Sequence, residues 1–113
     1  MHEMSLCESI LCIVEEHAAK HSYRKVTAVW LEVGALSGVE VAALRFGFDV
    51  VMKESIAEDA RLEIVNVPGQ ALCLQCMNKV EISQRFDTCP FCGANRLQIN
   101  AGEELQVKEL EVE

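Results

Sequence analysis

Cys73-Leu74-Gln75-Cys76 and Cys89-Pro90-Phe91-Cys92 stand twelve residues apart in a chain of 113 residues. Two residues between ligands let backbone amides turn toward the sulfurs while both thiolates reach one ion at ~2.3 Å, so this spacing predicts a tetrahedral zinc site of four thiolates. Gly93 follows the second pair where a left-handed residue completes the turn, and Asn78, two residues after the first pair, is the matching candidate there. Lys79 to Ile82 and Leu97 to Ile99 have the length of zinc-ribbon strands. The rival readings are two disulfides, a redox motif or an iron site. Disulfides are disfavoured in a reducing compartment, and a redox pair has no reason to be doubled on a segment too small to fold unaided. Four thiolates close the coordination shell, so the ion is structural and catalysis at it is not expected. So little core can form between residues 70 and 102 that metal binding supplies folding free energy on the order of 10 kcal/mol or more.

Around this module the sequence predicts a helix, a strand, a helix and a strand. Ser5-Leu6-Cys7-Glu8 has the form of a capping box, which places a helix start at Leu6 and a stop near His21-Ser22. Leu6, Ile10, Ile13, Val14 and Ala18 mark its buried stripe. Val26 to Val33, closing on Gly34, has the β-branched and aromatic content of a strand covered on both faces. Ser37-Gly38-Val39-Glu40 repeats the capping signature and opens a second helix to about Lys53, with Val39, Ala43, Phe46 and Val50 along its stripe. Gly47 weakens that helix by ~1 kcal/mol relative to Ala and is expected to permit close packing. Leu62 to Val67, ended by Pro68-Gly69, forms a second strand, and Leu105 to Val112 a last one. Apolar alternation in the last changes phase between Lys108 and Glu109, which a bulge would repair. The expected fold is α+β: two helices on a small mixed three-stranded sheet with an inserted zinc-ribbon-like four-cysteine module. Residues 1–69, completed by strand 103–113, make the first domain and residues 70–102 the zinc-binding domain.

Charge narrows the function. Ten Lys and Arg face eighteen Asp and Glu, a net −8 that repels phosphate backbones and anionic membranes. The module itself carries Lys79, Arg85 and Arg96 against Glu81, Asp87 and the excess charge of four thiolates on a divalent ion, so it lacks the basic face of a nucleic-acid reader. No apolar run approaches the ~20 residues of a membrane span. Met1-His2-Glu3 opens without a basic stretch or cleavage site, so a cytoplasmic chain is expected.

That opening also holds donors. A terminal histidine is most often only solvated. Here, however, the α-amine of Met1, the amide and imidazole of His2, and a carboxylate or amide of Glu3 lie within one chelate reach. Nitrogen-rich planar sets suit Ni(II) or Cu(II) rather than tetrahedral zinc. His17 and His21, four apart on the first helix, are able to share a metal on one face, although two polar residues in a last turn that favours positive charge is the plainer reading. Cys7 and Cys12 lie ~140° apart around that helix and read as small buried residues.

Met1-His2-Glu3, Val29-Trp30-Leu31-Glu32-Val33-Gly34, and the paired cysteine module before a closing acidic strand together resemble the HypA/HybF family of hydrogenase nickel-incorporation proteins. The resemblance spans essentially the whole chain. It implies that His2, with its own backbone and Glu3, binds nickel, and that Cys73, Cys76, Cys89 and Cys92 hold zinc. It further implies a metallochaperone, not an enzyme, that works with the GTPase HypB to deliver nickel to the large subunit of [NiFe]-hydrogenase, some relatives also serving urease. A second copy of the chain is a candidate partner, as a homodimer. Certain members carry histidines beside the zinc cysteines; this chain has none between Gln70 and Glu113. The alternative is a zinc-ribbon adaptor between proteins, without a second metal.

Overall fold

Helix α1 spans Glu3–His21, strand β1 Val26–Gly34, helix α2 Val41–Val51 and strand β2 Arg61–Val67; strands β3 (Gly69–Cys73), β4 (Lys79–Ile82), β5 (Leu97–Ala101) and β6 (Leu105–Val112) follow. The structure is a computed structural model and describes residues 3–113. The strands form two three-stranded sheets, ordered β2-β1-β6 and β4-β3-β5. The α+β expectation, with two helices and a mixed sheet of β1, β2 and β6, holds. β1 is the central strand of its sheet, which is why five of its first eight residues and Gly34 are buried. By packing, the chain falls into two units. The first comprises the residues through Leu31 with Val39–Ile64 and Val107–Glu113, the second Glu32–Gly38 with Val65–Gln106.

In the first unit the helices meet through Cys7, Ile10 and Val14 of α1 and Leu44, Gly47 and Phe48 of α2. Ile10, Leu44, Phe48 and Leu31 are fully covered, each burial contributing ~1.5–3 kcal/mol. Gly47 works as expected: a Cβ there would stand 3.3 Å from Cys7 Sγ and 3.5 Å from Met4 Sδ. The buried Cys7 thiol donates to the Leu44 carbonyl at 3.4 Å, and desolvation, with Glu3 and Glu8 nearby, raises its pKa, so it stays a neutral packing group.

Several boundaries differ from the sequence reading. α1 begins at Glu3, not Leu6, because Met4 and Cys7 already pack over the bare backbone of Gly47; Ser5 is therefore inside the helix and caps nothing. Ile13, expected on the stripe, is exposed, and so is Cys12. The second capping box does not form. Gly38 takes φ +76°, a conformation outside the helix, and α2 starts at Val41 behind Glu40, which makes no side-chain cap. The stripe consequently rotates: Leu44, Gly47, Phe48 and Met52 are buried, while Ala43, Phe46 and Val50 face out.

In the second unit β3 runs antiparallel to β4, with Gly69 opposite Ile82 and Leu72 opposite Lys79, and antiparallel to β5, with Cys73 opposite Leu97. Strand β3 was not expected, since Pro68-Gly69 reads as an ending. It is the middle strand, and Gly69 is needed where it begins: a Cβ there would lie 2.6 Å from the Ile82 carbonyl oxygen. The expected strands at Lys79–Ile82 and from Leu97 are both present. Leu36, Ala71, Cys73, Val80, Ile82 and Cys89 form a small core of their own.

Candidate metal centre

The two cysteine pairs adopt the same local fold. In the first, the amide of Met77 donates to the Cys73 carbonyl at 2.8 Å and the Cys73 amide to the Asn78 carbonyl at 3.0 Å. In the second, Gly93 donates to Cys89 at 2.8 Å and Cys89 to Ala94 at 2.8 Å. Each loop closes on a left-handed residue directly after its second cysteine, Met77 at φ +60° and Gly93 at φ +76°. Gly93 was expected there; Met77 takes the place proposed for Asn78. Asn78 instead points its side-chain amide at the Cys76 sulfur, 3.3 Å away. Comparing the two pairs position by position would have found this, because Met77 matches Gly93 and Asn78 matches Ala94.

These turns bring Cys73, Cys76, Cys89 and Cys92 together, all four sulfurs lying within 4.8 Å of one another. Cys73 Sγ is 3.6 Å from Cys92 Sγ, and Cys76 Sγ is 3.7 Å from Cys89 Sγ. A zinc–sulfur bond of ~2.3 Å gives a regular tetrahedron with edges of ~3.8 Å, so the cluster has the size zinc requires. It is too open for disulfides, whose sulfurs stand ~2.05 Å apart. Amides also aim at the sulfurs: Cys76 N–H at Cys73 Sγ (3.5 Å) and Phe91 N–H at Cys89 Sγ (3.4 Å).

Without a cation such a cluster cannot ionise fully. The backbone amides of Cys76 and Gln75, outweighing burial, lower the Cys73 thiol to about 6. Burial opposes the Cys89 thiolate, but the amides of Cys92 and Phe91 carry its pKa below the ordinary value. Cys92 has the Ala94 amide in its favour, yet burial and the neighbouring sulfurs push it up to about 12. Like charges in one small volume force this split, and a divalent ion removes it by paying two charges back to four thiolates. The donor set fits zinc and leaves no open position. Outside it Arg85 is tied to Glu103 at 2.7 Å, which reduces further the charge available to phosphates.

At the other candidate site, His2 lies outside the described residues. Glu3 opens α1, and one of its carboxylate oxygens accepts the backbone amide of Glu40, the residue before α2, at 3.0 Å. That pairing joins the starts of the two helices, and nothing in the sequence signals it. Among the described residues no helix is long and apolar enough to cross a membrane.

Comparison with known proteins agrees with this geometry. Residues 1–112 match the family model described as hydrogenase/urease nickel incorporation, metallochaperone, hypA. The chain is 57% identical to a hydrogenase maturation factor HypA of Azotobacter chroococcum and 54% identical to one of Rhodopseudomonas palustris, in each case over 113 residues and the full length of both chains. It is also similar to the solution structure of the Ni metallochaperone HypA from Helicobacter pylori, with a TM-score of 0.72 and 27% identity over 99% of this chain and 97% of that one. On these grounds the chain belongs to the HypA family of nickel-incorporation metallochaperones, maturation factors rather than catalysts.

Proposed function

We propose that this chain binds Ni(II) at its leading end and delivers it to the large subunit of [NiFe]-hydrogenase, in the cytoplasm and together with the GTPase HypB. His2 supplies its imidazole and amide nitrogens. Glu3 adds either a carboxylate oxygen or its amide nitrogen, one carboxylate oxygen accepting the Glu40 amide. Cys73, Cys76, Cys89 and Cys92 hold zinc as a structural ion. In domain terms, residues 1–69 with 103–113 handle nickel and residues 70–102 hold zinc, a homodimer being the candidate assembly.

One observation supports this division of labour above the others: the sulfur cluster has zinc's dimensions and a closed shell, so a cargo that must be released is better served elsewhere. An open set of nitrogen donors, exchangeable one at a time, suits transfer. Leu74, Met77, Phe86 and Phe91 stand exposed in the cysteine module and suit it to contact partner proteins.

Calorimetry on the zinc-loaded chain tests the assignment. Replacing His2 with Ala, or extending the chain ahead of Met1 so that the free amine is lost, should remove the high-affinity nickel equivalent while one zinc per chain remains. Unchanged nickel affinity in both variants would overturn it and leave the adaptor reading.

A further inference from the structure

The last turn of α1 carries a pair of donors that the N-terminal reading does not use. The rings of His17 and His21 lie with centroids 4.4 Å apart and planes inclined by 34°. Four residues along a helix is close to one full turn, so both side chains rise from the same face. With metal–nitrogen bonds of ~2.1 Å, two imidazoles in adjacent positions around one ion have ring centres ~4.5 Å apart. The pair therefore stands at the separation of two cis ligands before any ion is added.

Space is available. Both rings line a groove of ≈ 400 Å³ walled mainly by apolar side chains, Ile13 and Leu110 among them, with Lys108 and Glu109 as its charged residues. The Tyr23 ring stands 6.2 Å from that of His17, and its hydroxyl is already used, donating to the Val14 carbonyl at 3.0 Å. Both histidines are exposed, so the imidazoles carry no desolvation cost that an ion would have to repay. Among the described residues only the four cysteines bring three or more ligand atoms within 4.8 Å. His17 and His21 are thus a two-donor set, its remaining positions left to water or to an incoming ligand.

We propose that His17 and His21 form a second, weaker site for divalent transition metals that favour imidazole, Ni(II) and Cu(II) foremost, at the far end of α1 from His2. Each imidazole donates one lone pair, and no bond to the protein is broken. The site is independent of the N-terminal one and of the zinc cluster.

Its test uses the full-length, zinc-loaded chain carrying His2→Ala, so that the N-terminal site is out of play and failure of either reading is seen separately. Nickel ion alone is the probe. Its addition should selectively broaden the ring-proton signals of both His17 and His21 in NMR spectra. His17→Gln should abolish the broadening at His21, and His21→Gln that at His17, each lowering nickel affinity at least about tenfold, because chelation by a shared scaffold is lost. Both positions are exposed and outside the core, so the variants should fold. Absence of broadening at these rings, or single variants that bind as their parent does, would overturn the proposal.

Discussion

Gly93 and Gly102 both adopt positive φ, +76° and +90°, but in different surroundings. A Cβ on Gly93 would meet nothing within 4 Å, whereas one on Gly102 would lie 2.6 Å from Gly69 Cα and 2.7 Å from the Pro68 carbonyl oxygen. Gly93→Ala should therefore cost only the left-handed penalty, ~1–2 kcal/mol. Gly102→Ala, which has to displace backbone, should cost more than ~3 kcal/mol. Urea unfolding of the zinc-loaded variants compares them, and equal losses would contradict the packing described. The sulfurs make a second expectation at this scale. In the folded arrangement Cys73, lowered to about 6, favours its thiolate while Cys92, pushed up to about 12, holds its proton, so Cys92 is the sulfur whose ionisation depends most on the cation. Because the module depends on metal for its fold, alkylation of the zinc-free chain at pH 7 should label Cys73 and Cys92 alike. A lowered thiol pKa stabilises the fold above the free-thiol value and ceases to do so as pH falls through about 6. Zinc loading should protect both residues and, because protons compete for the same sulfurs, weaken as pH falls.

Among the elements, those with strong local chemistry were legible in the sequence and those set by packing were not. β1, β2 and β6 lie close to where alternation and β-branched residues put them, and β4 where a short ribbon strand fits between the cysteine pairs. The paired cysteines announced their own cluster because ligand spacing is a local geometric demand. The α2 stripe was misplaced because Val41 to Val51 is apolar on nearly every side, so periodicity alone cannot choose between the set with Ala43, Phe46 and Val50 and the set with Leu44, Gly47 and Phe48. The choice is made by α1, whose Cys7 and Met4 require a residue without a side chain opposite them. β3 was missed for a similar reason: its opening glycine answers to the Ile82 carbonyl on the next strand. The site at the leading end was readable only as a set of donors, since the contact of Glu3 with the Glu40 amide depends on how two helices meet. These distinctions set what removal of zinc should do. β3, β4 and β5 share a core in which Cys73 and Cys89 are themselves members, so chelation should collapse amide protection there. α1 and α2, held by Ile10, Val14, Leu44 and Phe48, should keep theirs. Hydrogen exchange with and without a chelator checks this, and loss of protection in both helices would show that the two units are not independent.

For the whole molecule, an excess of eight negative charges, and a cysteine module in which Arg85 is tied to Glu103, leave little basic surface for phosphate backbones. In the proposed division of two metals, sulfur holds the ion that stays and nitrogen the ion that leaves. X-ray absorption at the nickel edge, on the zinc-replete chain given one equivalent of nickel, tests that division most directly. With His17→Gln and His21→Gln in place, the spectrum should show nitrogen and oxygen neighbours including an imidazole, and the imidazole contribution should disappear when His2→Ala is added. A shell of sulfur neighbours around nickel, with zinc displaced from the four cysteines, would contradict it.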